Sequence, residues 1–270
     1  MVATTDVLVD GRHFRRDWST GYDVGRKAAA QNLADVAAMG AVPTGLLLGL
    51  ACPPDLDVEW VELLADGLRD ECGLVGATVL GGDVVGSETL TVAITALGDL
   101  GGRAPVTRFG AKPGHVVAVT GRLGWAAAGL AVLGRGFRSP VSVVGAHRRP
   151  EPPYAEGPRA AELGATSMVD VSDGLVADLG HVALASEVGI ELDTARLEVS
   201  AKLRDVGNAL GADPMGWVLA GGDDHALAAT FPGDVELPPQ WRVIGRVARG
   251  RGVLVDGAPY LPPAGWDHFR

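Results

Sequence analysis

Apolar and polar positions along the chain repeat with two periods, one of two residues and one of three to four. Residues 4–9, Thr-Thr-Asp-Val-Leu-Val, are β-branched and predict a strand. Val24, Ala28, Leu33, Val36 and Ala37 recur at helical spacing and predict a helix over 22–39, ended by Gly40. Residues 46–51 are nearly all apolar, as in a sheet covered on one or both faces. Pro53, Pro54 and Asp57 open a second helix with the stripe Trp60, Leu63, Leu64, Gly67, Leu68 and Cys72. A strand follows that is expected to end in Gly81-Gly82-Asp83, where the glycines let the backbone approach a ligand. Residues 89–97 alternate and predict another strand.

A basic stretch, Arg103 to Gly114, reads as a linker, and a boundary near Val106 divides 1–105 from 106–270. Beyond it come a strand at 115–120, a glycine-flanked turn, and an alanine-rich helix at 125–133. Residues 134–158 hold five prolines and predict a long irregular segment. At 166–184 a short apolar run turns an acid-bearing corner into a helix, and Ser172 or Asp173 is expected to cap it. Strands at 189–192, 226–231, 242–247 and 253–255 and a helix at 201–210 complete the pattern. Strands alternate with helices throughout, so the class is α/β or α+β.

Composition narrows the function. A net charge of −10 lacks the footprint of a nucleic-acid binder. No run reaches the roughly 18 apolar residues of a membrane span, and the first residues form no signal core, so a cytoplasmic chain is expected. Cys52 and Cys72 read as core thiols. The acids carry more information. Asp170 interrupts an apolar run, where a lone carboxylate is costly unless it is paired or binds a cation. With Asp173 it looks like a ligand pair for a hard divalent ion. Asn32 and Asp35, three apart, share a helix face crowded by Ala34, Val36 and Ala37, so that face is expected to look inward. Asp6 lies beside the hydroxyls of Thr4 and Thr5. A glycine pair before an acid occurs twice, at 81–83 and 221–223, and weakly hints at duplication. His13 alone reads as a surface histidine.

Taken in order, these pieces carry a resemblance. They are Thr5-Asp6, His13-Phe14, Asn32-Leu-Ala-Asp35 through Met39-Gly40-Ala41, Gly81-Gly82-Asp83, and Thr107-Arg108 with Lys112-Pro-Gly114. Asp170-Val-Ser172-Asp173-Gly174-Leu175, Gly221-Gly222-Asp223-Asp224 and Gly265-Trp266-Asp267-His268-Phe269 follow. The chain resembles the thiamine-monophosphate kinases, of the aminoimidazole ribonucleotide synthetase-like superfamily. The resemblance implies two domains: an N-terminal half with a mixed sheet, helices on one face and dimerisation through the sheet, and a C-terminal α/β half closing the nucleotide site. It implies magnesium, ATP as co-substrate, thiamine monophosphate as acceptor, and a homodimer. Carried over by position, Thr5, Asp6, Asp35, Asp83, Asp170 and Asp173 would hold magnesium, and Thr4, where the family tends to have Ser, can still ligate. Gly82, Asp83, Arg108 and Ser172 would meet ATP. His13, Asp223 and Trp266 would meet thiamine monophosphate, with Asp223 in place of a usual Glu and Trp266 of a usual Tyr. The family also has an N-terminal Gly-Asp-Asp corner that this sequence lacks. Either the start is truncated or a metal ligand is missing. Two further readings share these motifs: a paralogue binding nucleotide and magnesium without turnover, and an ATP-dependent ligase acting on a purine precursor.

Overall fold

In a computed structural model, residues 1–265 are described. The first half contains β1 (Val2–Val9), α1 (Gly21–Ala38), β2 (Val42–Cys52), α2 (Val58–Gly73), β3 (Thr78–Gly86) and β4 (Thr91–Asp99). The strands form one sheet in the order β1-β4-β2-β3, antiparallel except for the parallel β2–β3 pair. Both helices cover one face, and Leu8, Leu46, Leu50, Val92, Ile94 and Ala96 bury there. The other face carries Val7, Leu47 and Val85 in the open.

The second half contains β5 (Val116–Thr120), α3 (Trp125–Gly134), α4 (Val141–Arg148), α5 (Glu156–Glu162), β6 (Ser167–Val171) and α6 (Leu175–Ser186). Then come β7 (Gly189–Leu192), α7 (Ala201–Leu210), α8 (Pro214–Ala220), β8 (Ala226–Phe231), β9 (Arg242–Ala248), β10 (Gly252–Val255) and β11 (Ala258–Pro259). Its sheet runs β11-β10-β7-β9-β5-β8-β6. The mixed first sheet and the α/β second half match the expected class.

Two expectations change. Gly81-Gly82-Asp83 does not end a strand, because β3 continues to Gly86. A register shift opposite Leu46 and Leu47 sets Leu80 out as a bulge beside the glycines. A Cβ on Gly82 would stand 2.2 Å from the Leu48 carbonyl oxygen, so the glycine there allows a close approach to β2. The second change is α4, inside the stretch read as irregular. Pro140 precedes its first turn, where proline is tolerated, and Val143 and Val144 bury in the cluster that holds Ala128, Val132 and Leu133 of α3. Prolines at both ends hid a short helix between them.

Helix α1 sits between the halves. One side packs on β1, β2 and β4, and the other meets β6, α4 and α5. That explains burial nearly all round it, from Val24 to Ala38. It also lies close to α2. A Cβ on Gly25 would fall 2.1 Å from the Leu64 carbonyl oxygen, and one on Gly67 would fall 2.3 Å from that of Tyr22. Gly25→Ala should therefore lower unfolding free energy by about 1–3 kcal/mol in urea melts. Gly73→Ala, which would meet nothing within 4 Å, should stabilise by about 0.4–1 kcal/mol. Equal responses of the two variants would contradict this packing.

Candidate active site at the junction of the two sheets

The two-residue period of β1 sends its side chains to opposite faces. Thr4 and Asp6 face α1, and the Thr4 hydroxyl donates to Asp35 Oδ2 at 2.7 Å. Thr5 faces the open side and shares a 2.8 Å hydrogen bond with the Thr95 hydroxyl. Asn32, fully buried, accepts the Asp6 amide N–H and donates to the Ala28 carbonyl one helical turn back. The face bearing Asn32 and Asp35 does look inward.

Asp170 comes from β6 across the junction, 4% exposed. Burial raises the Asp35 carboxyl to about 7, and the charges of Asp170 and Asp6 add to the rise. Asp178, on the first turns of α6, is also raised to about 7, first by burial and then by Asp170. Asp170 is thus the acid the others respond to. Its partner is His225, whose Nδ1 lies 2.9 Å from Asp170 Oδ2. Burial works against the imidazolium, but the hydrogen bond and charge of Asp170 outweigh it and hold the ring above its usual range.

The helix cap differs from the expected one. Neither Ser172 nor Asp173 caps α6; its N-cap is Gly174, at φ 139°. The Asp178 carboxylate reaches back and accepts the N–H groups of Asp173 and Gly174, at 3.1 and 3.0 Å. The cap of α6 thus comes from within the helix. Asp173, Asp178 and His181 hold ligand-type atoms within 4.8 Å of one another.

The corner at 221–225 lies against this one. Asp223 N–H donates to Ser172 O and His225 N–H to Val171 O. A Cβ on Gly222 would stand 2.3 Å from Ser172 O, so only glycine fits. Asp223 and His225 both take left-handed backbone angles, φ 65° and 52°. Their side chains diverge as a result. Asp223 reaches the Lys27 ammonium at 2.8 Å, and the same ammonium donates to the His13 carbonyl at 3.3 Å. Burial would raise Asp223, but Lys27 and then His147 pull its carboxyl down to about 2. His147 is buried and neutral, pushed down to about 3 by burial and then by Lys27. Asp224 turns the other way and accepts the Ala126 N–H at 2.9 Å, in the first turn of α3.

The structure therefore brings Thr4, Asp6, Asp35 and Asp170 together, sets Ser172 and Asp173 at the adjoining corner, and joins His13 to Asp223 through Lys27. It leaves others apart within one chain. Asp83 pairs in register with Gly49 on the open face of edge strand β3. Three strand spacings, roughly 14 Å, separate it from β1. Thr5 shares that open face. The Arg108 carbonyl accepts the hydroxyl of Ser186, the last residue of α6, so its backbone sits at the opposite end of that helix from Asp173, roughly 18 Å away. Trp266 lies outside the described residues.

Comparisons with known proteins give the family. Residues 1–100 match the AIR synthase related protein N-terminal domain, and residues 112–257 match the corresponding C-terminal domain. A thiamine-monophosphate kinase of Mycobacterium tuberculosis is 49% identical over 270 residues, covering 99% of this chain and 80% of the relative. The chain belongs to the thiamine-monophosphate kinase family. The Escherichia coli (strain K12) member is 36% identical over 290 residues, covering 100% of this chain and 86% of its own. The structure of AaThiL complexed with AMPPCP and TMP superposes with a TM-score of 0.93 at 35% identity, covering 99% of this chain and 86% of that one.

The sequence reading missed Lys27, His147, Asp178 and His225. A signal existed for two of them: Lys27 interrupts the apolar residues of a helix, and His225 directly follows the glycine-acid corner. Asp224 generates a test. It is 6% exposed, Oδ2 has no partner among the described residues, and burial raises the carboxyl to about 7. The fold thus favours the protonated form. Stability from it is complete below the unfolded range near 3.8 and is lost as pH rises through about 7. Asp224→Asn removes that dependence. The melting temperature of the variant minus that of the wild type should rise from pH 5 to pH 8, and a flat or falling difference would contradict the assignment.

Proposed function

We propose that this chain transfers the terminal phosphoryl group of ATP to the phosphate of thiamine monophosphate, giving thiamine diphosphate. The observation that carries the reading is the gathering of Asp6, Asp35 and Asp170 beside His225, inside a member of this kinase family. Crowded carboxylates that raise one another's pKa offer oxygen donors and surplus negative charge, which suits a hard divalent cation. Magnesium is the ion we assign there, and when bound it would neutralise the phosphates of both substrates. Asp6, Asp35 and Asp170 would hold it, with Thr4 orienting Asp35 and His225 orienting Asp170. Asp173 would add a ligand at the start of α6, beside Ser172, which we assign to ATP. His13 and Asp223 would face thiamine monophosphate. The acceptor oxygen is already ionised at neutral pH, so no side chain need act as a general base. What the protein supplies is alignment and charge balance, and transfer is direct, with no phosphoenzyme.

The protein would act as a homodimer. The open sheet face carries Val7, Leu47 and Val85, and β1 and β3 are free edges. Two copies meeting face to face would set β3 of one beside β1 of the other. That would carry Asp83 of a second copy to Thr5 and Asp6, which accounts for an acid stranded across the sheet.

Product formation from ATP, magnesium and thiamine monophosphate, followed by chromatography, tests the activity. Asp170→Asn should lower turnover about 100-fold or more while binding of an ATP analogue persists. Saturable ATP binding without any product in the wild type would overturn the kinase reading and favour a nucleotide-binding paralogue. Subunit mixing tests the shared site. Asp83→Asn and Asp170→Asn chains, each inactive alone, should together recover roughly a quarter of wild-type activity, because half of the dimers are mixed and each has one intact site. No recovery would place Asp83 outside a shared site.

A further inference from the structure

Lys27 is among the largest fully buried side chains in the described structure, 2% exposed, yet no role in the reaction has been given to it so far. It belongs to α1, where Val24 and Ala28 are buried as well. Its ammonium emerges where three separate parts of the chain converge. It donates to the backbone carbonyl of His13, on the loop after β1, at 3.3 Å. It donates to Asp223 Oδ2, on the corner after α8, at 2.8 Å. The third part is α4, whose His147 places Nδ1 4.0 Å from the same Asp223 oxygen. These contacts leave Asp223 Oδ1 without a bond from the described residues, on a side chain that keeps 41% of its surface. The wall beside it is aromatic: the Trp18 and His147 rings meet edge to face at 6.5 Å.

We propose that Lys27 is a positioning residue for the acceptor substrate: fixed by α1, its ammonium holds the His13 loop and Asp223 in the geometry that receives the cationic thiazolium and the aminopyrimidine of thiamine monophosphate. The inference rests on the kinase reading, since it concerns the acceptor pocket of that site. A buried ammonium needs a carboxylate and hydrogen bonds wherever it occurs, and that need alone would be met by one partner. Here its two partners belong to the two sides of one pocket, on different halves of the chain. Helix α1 is packed on every side, so the ammonium is a fixed point, whereas the loop and the left-handed corner are irregular segments. Binding Oδ2 also fixes which carboxylate oxygen turns outward. An ionised oxygen at that point attracts the thiazolium charge and accepts from the aminopyrimidine N–H.

The test measures affinity for thiamine monophosphate by calorimetry, and KM for each substrate, in Lys27→Met, Asp223→Asn and the double variant. Lys27→Met keeps the buried stem, and the double variant removes both charges, so at least one folds without an unpaired group. The expected result is a loss of acceptor affinity of about tenfold or more in Lys27→Met, with KM for ATP within about twofold of wild type. The double variant should be no worse than the poorer single variant, because the two side chains act as one unit. Equal rises in both KM values, unchanged acceptor affinity with only a lower melting temperature, or losses that multiply in the double variant would each overturn the proposal. A wild type that neither binds nor phosphorylates thiamine monophosphate overturns the kinase reading and this inference together. A wild type that does both beside a Lys27→Met chain that binds equally well overturns this inference alone.

Discussion

Mutual repulsion among buried carboxylates is the constraint around which the junction is built. Asp170 stands within electrostatic reach of Asp35 and Asp178, and Asp6 adds to the field at Asp35. In water such charges would drift apart. Here β1, α1, β6 and α6 hold their backbones, and each backbone is fixed by apolar packing elsewhere. Val169 and Val171 anchor β6 on either side of Asp170, and Leu33 and Val36 anchor α1 around Asp35. Stability built up in the two cores is spent at the junction on holding these carboxylates close together.

The short corner from Gly221 to His225 distributes that problem. Three consecutive side chains leave it for three destinations: Lys27, the first turn of α3, and Asp170. A regular strand or helix could not do this, since its side chains point in two directions or wind around one axis. Left-handed angles at residues 223 and 225 make the divergence possible. The same corner therefore contacts the candidate metal ligand and the candidate acceptor pocket.

Much of this was legible beforehand. Period and punctuation placed α1, α2, α6 and the central strands, because their apolar faces are long and their ends carry glycine or capping acids. The acid inside an apolar run, Asp170, lies at the junction within electrostatic reach of Asp35. What escaped has physical reasons. α4 is eight residues long and is stabilised by contact with α3 rather than by its own pattern. The cap of α6 comes from Asp178, one turn inside the helix, where no local rule looks for it. Lys27 and His225 gain meaning only from partners far away in sequence. Asp83 was grouped with Asp6 by family resemblance, and within one chain the sheet sets them at opposite edges.

The placement of α1 has a consequence for how the chain can come apart. Each sheet has its own core, which would ordinarily let one half melt while the other persists. Ala38, however, belongs to the cluster of Met168, Leu227 and Phe231, while Leu33 and Val36 belong to the cluster of the other sheet. One helix is thus a structural member of both cores. Losing either half strips it of half its cover, so the two sheets are bound to a single fate in unfolding, and limited proteolysis would find no intermediate with one sheet intact.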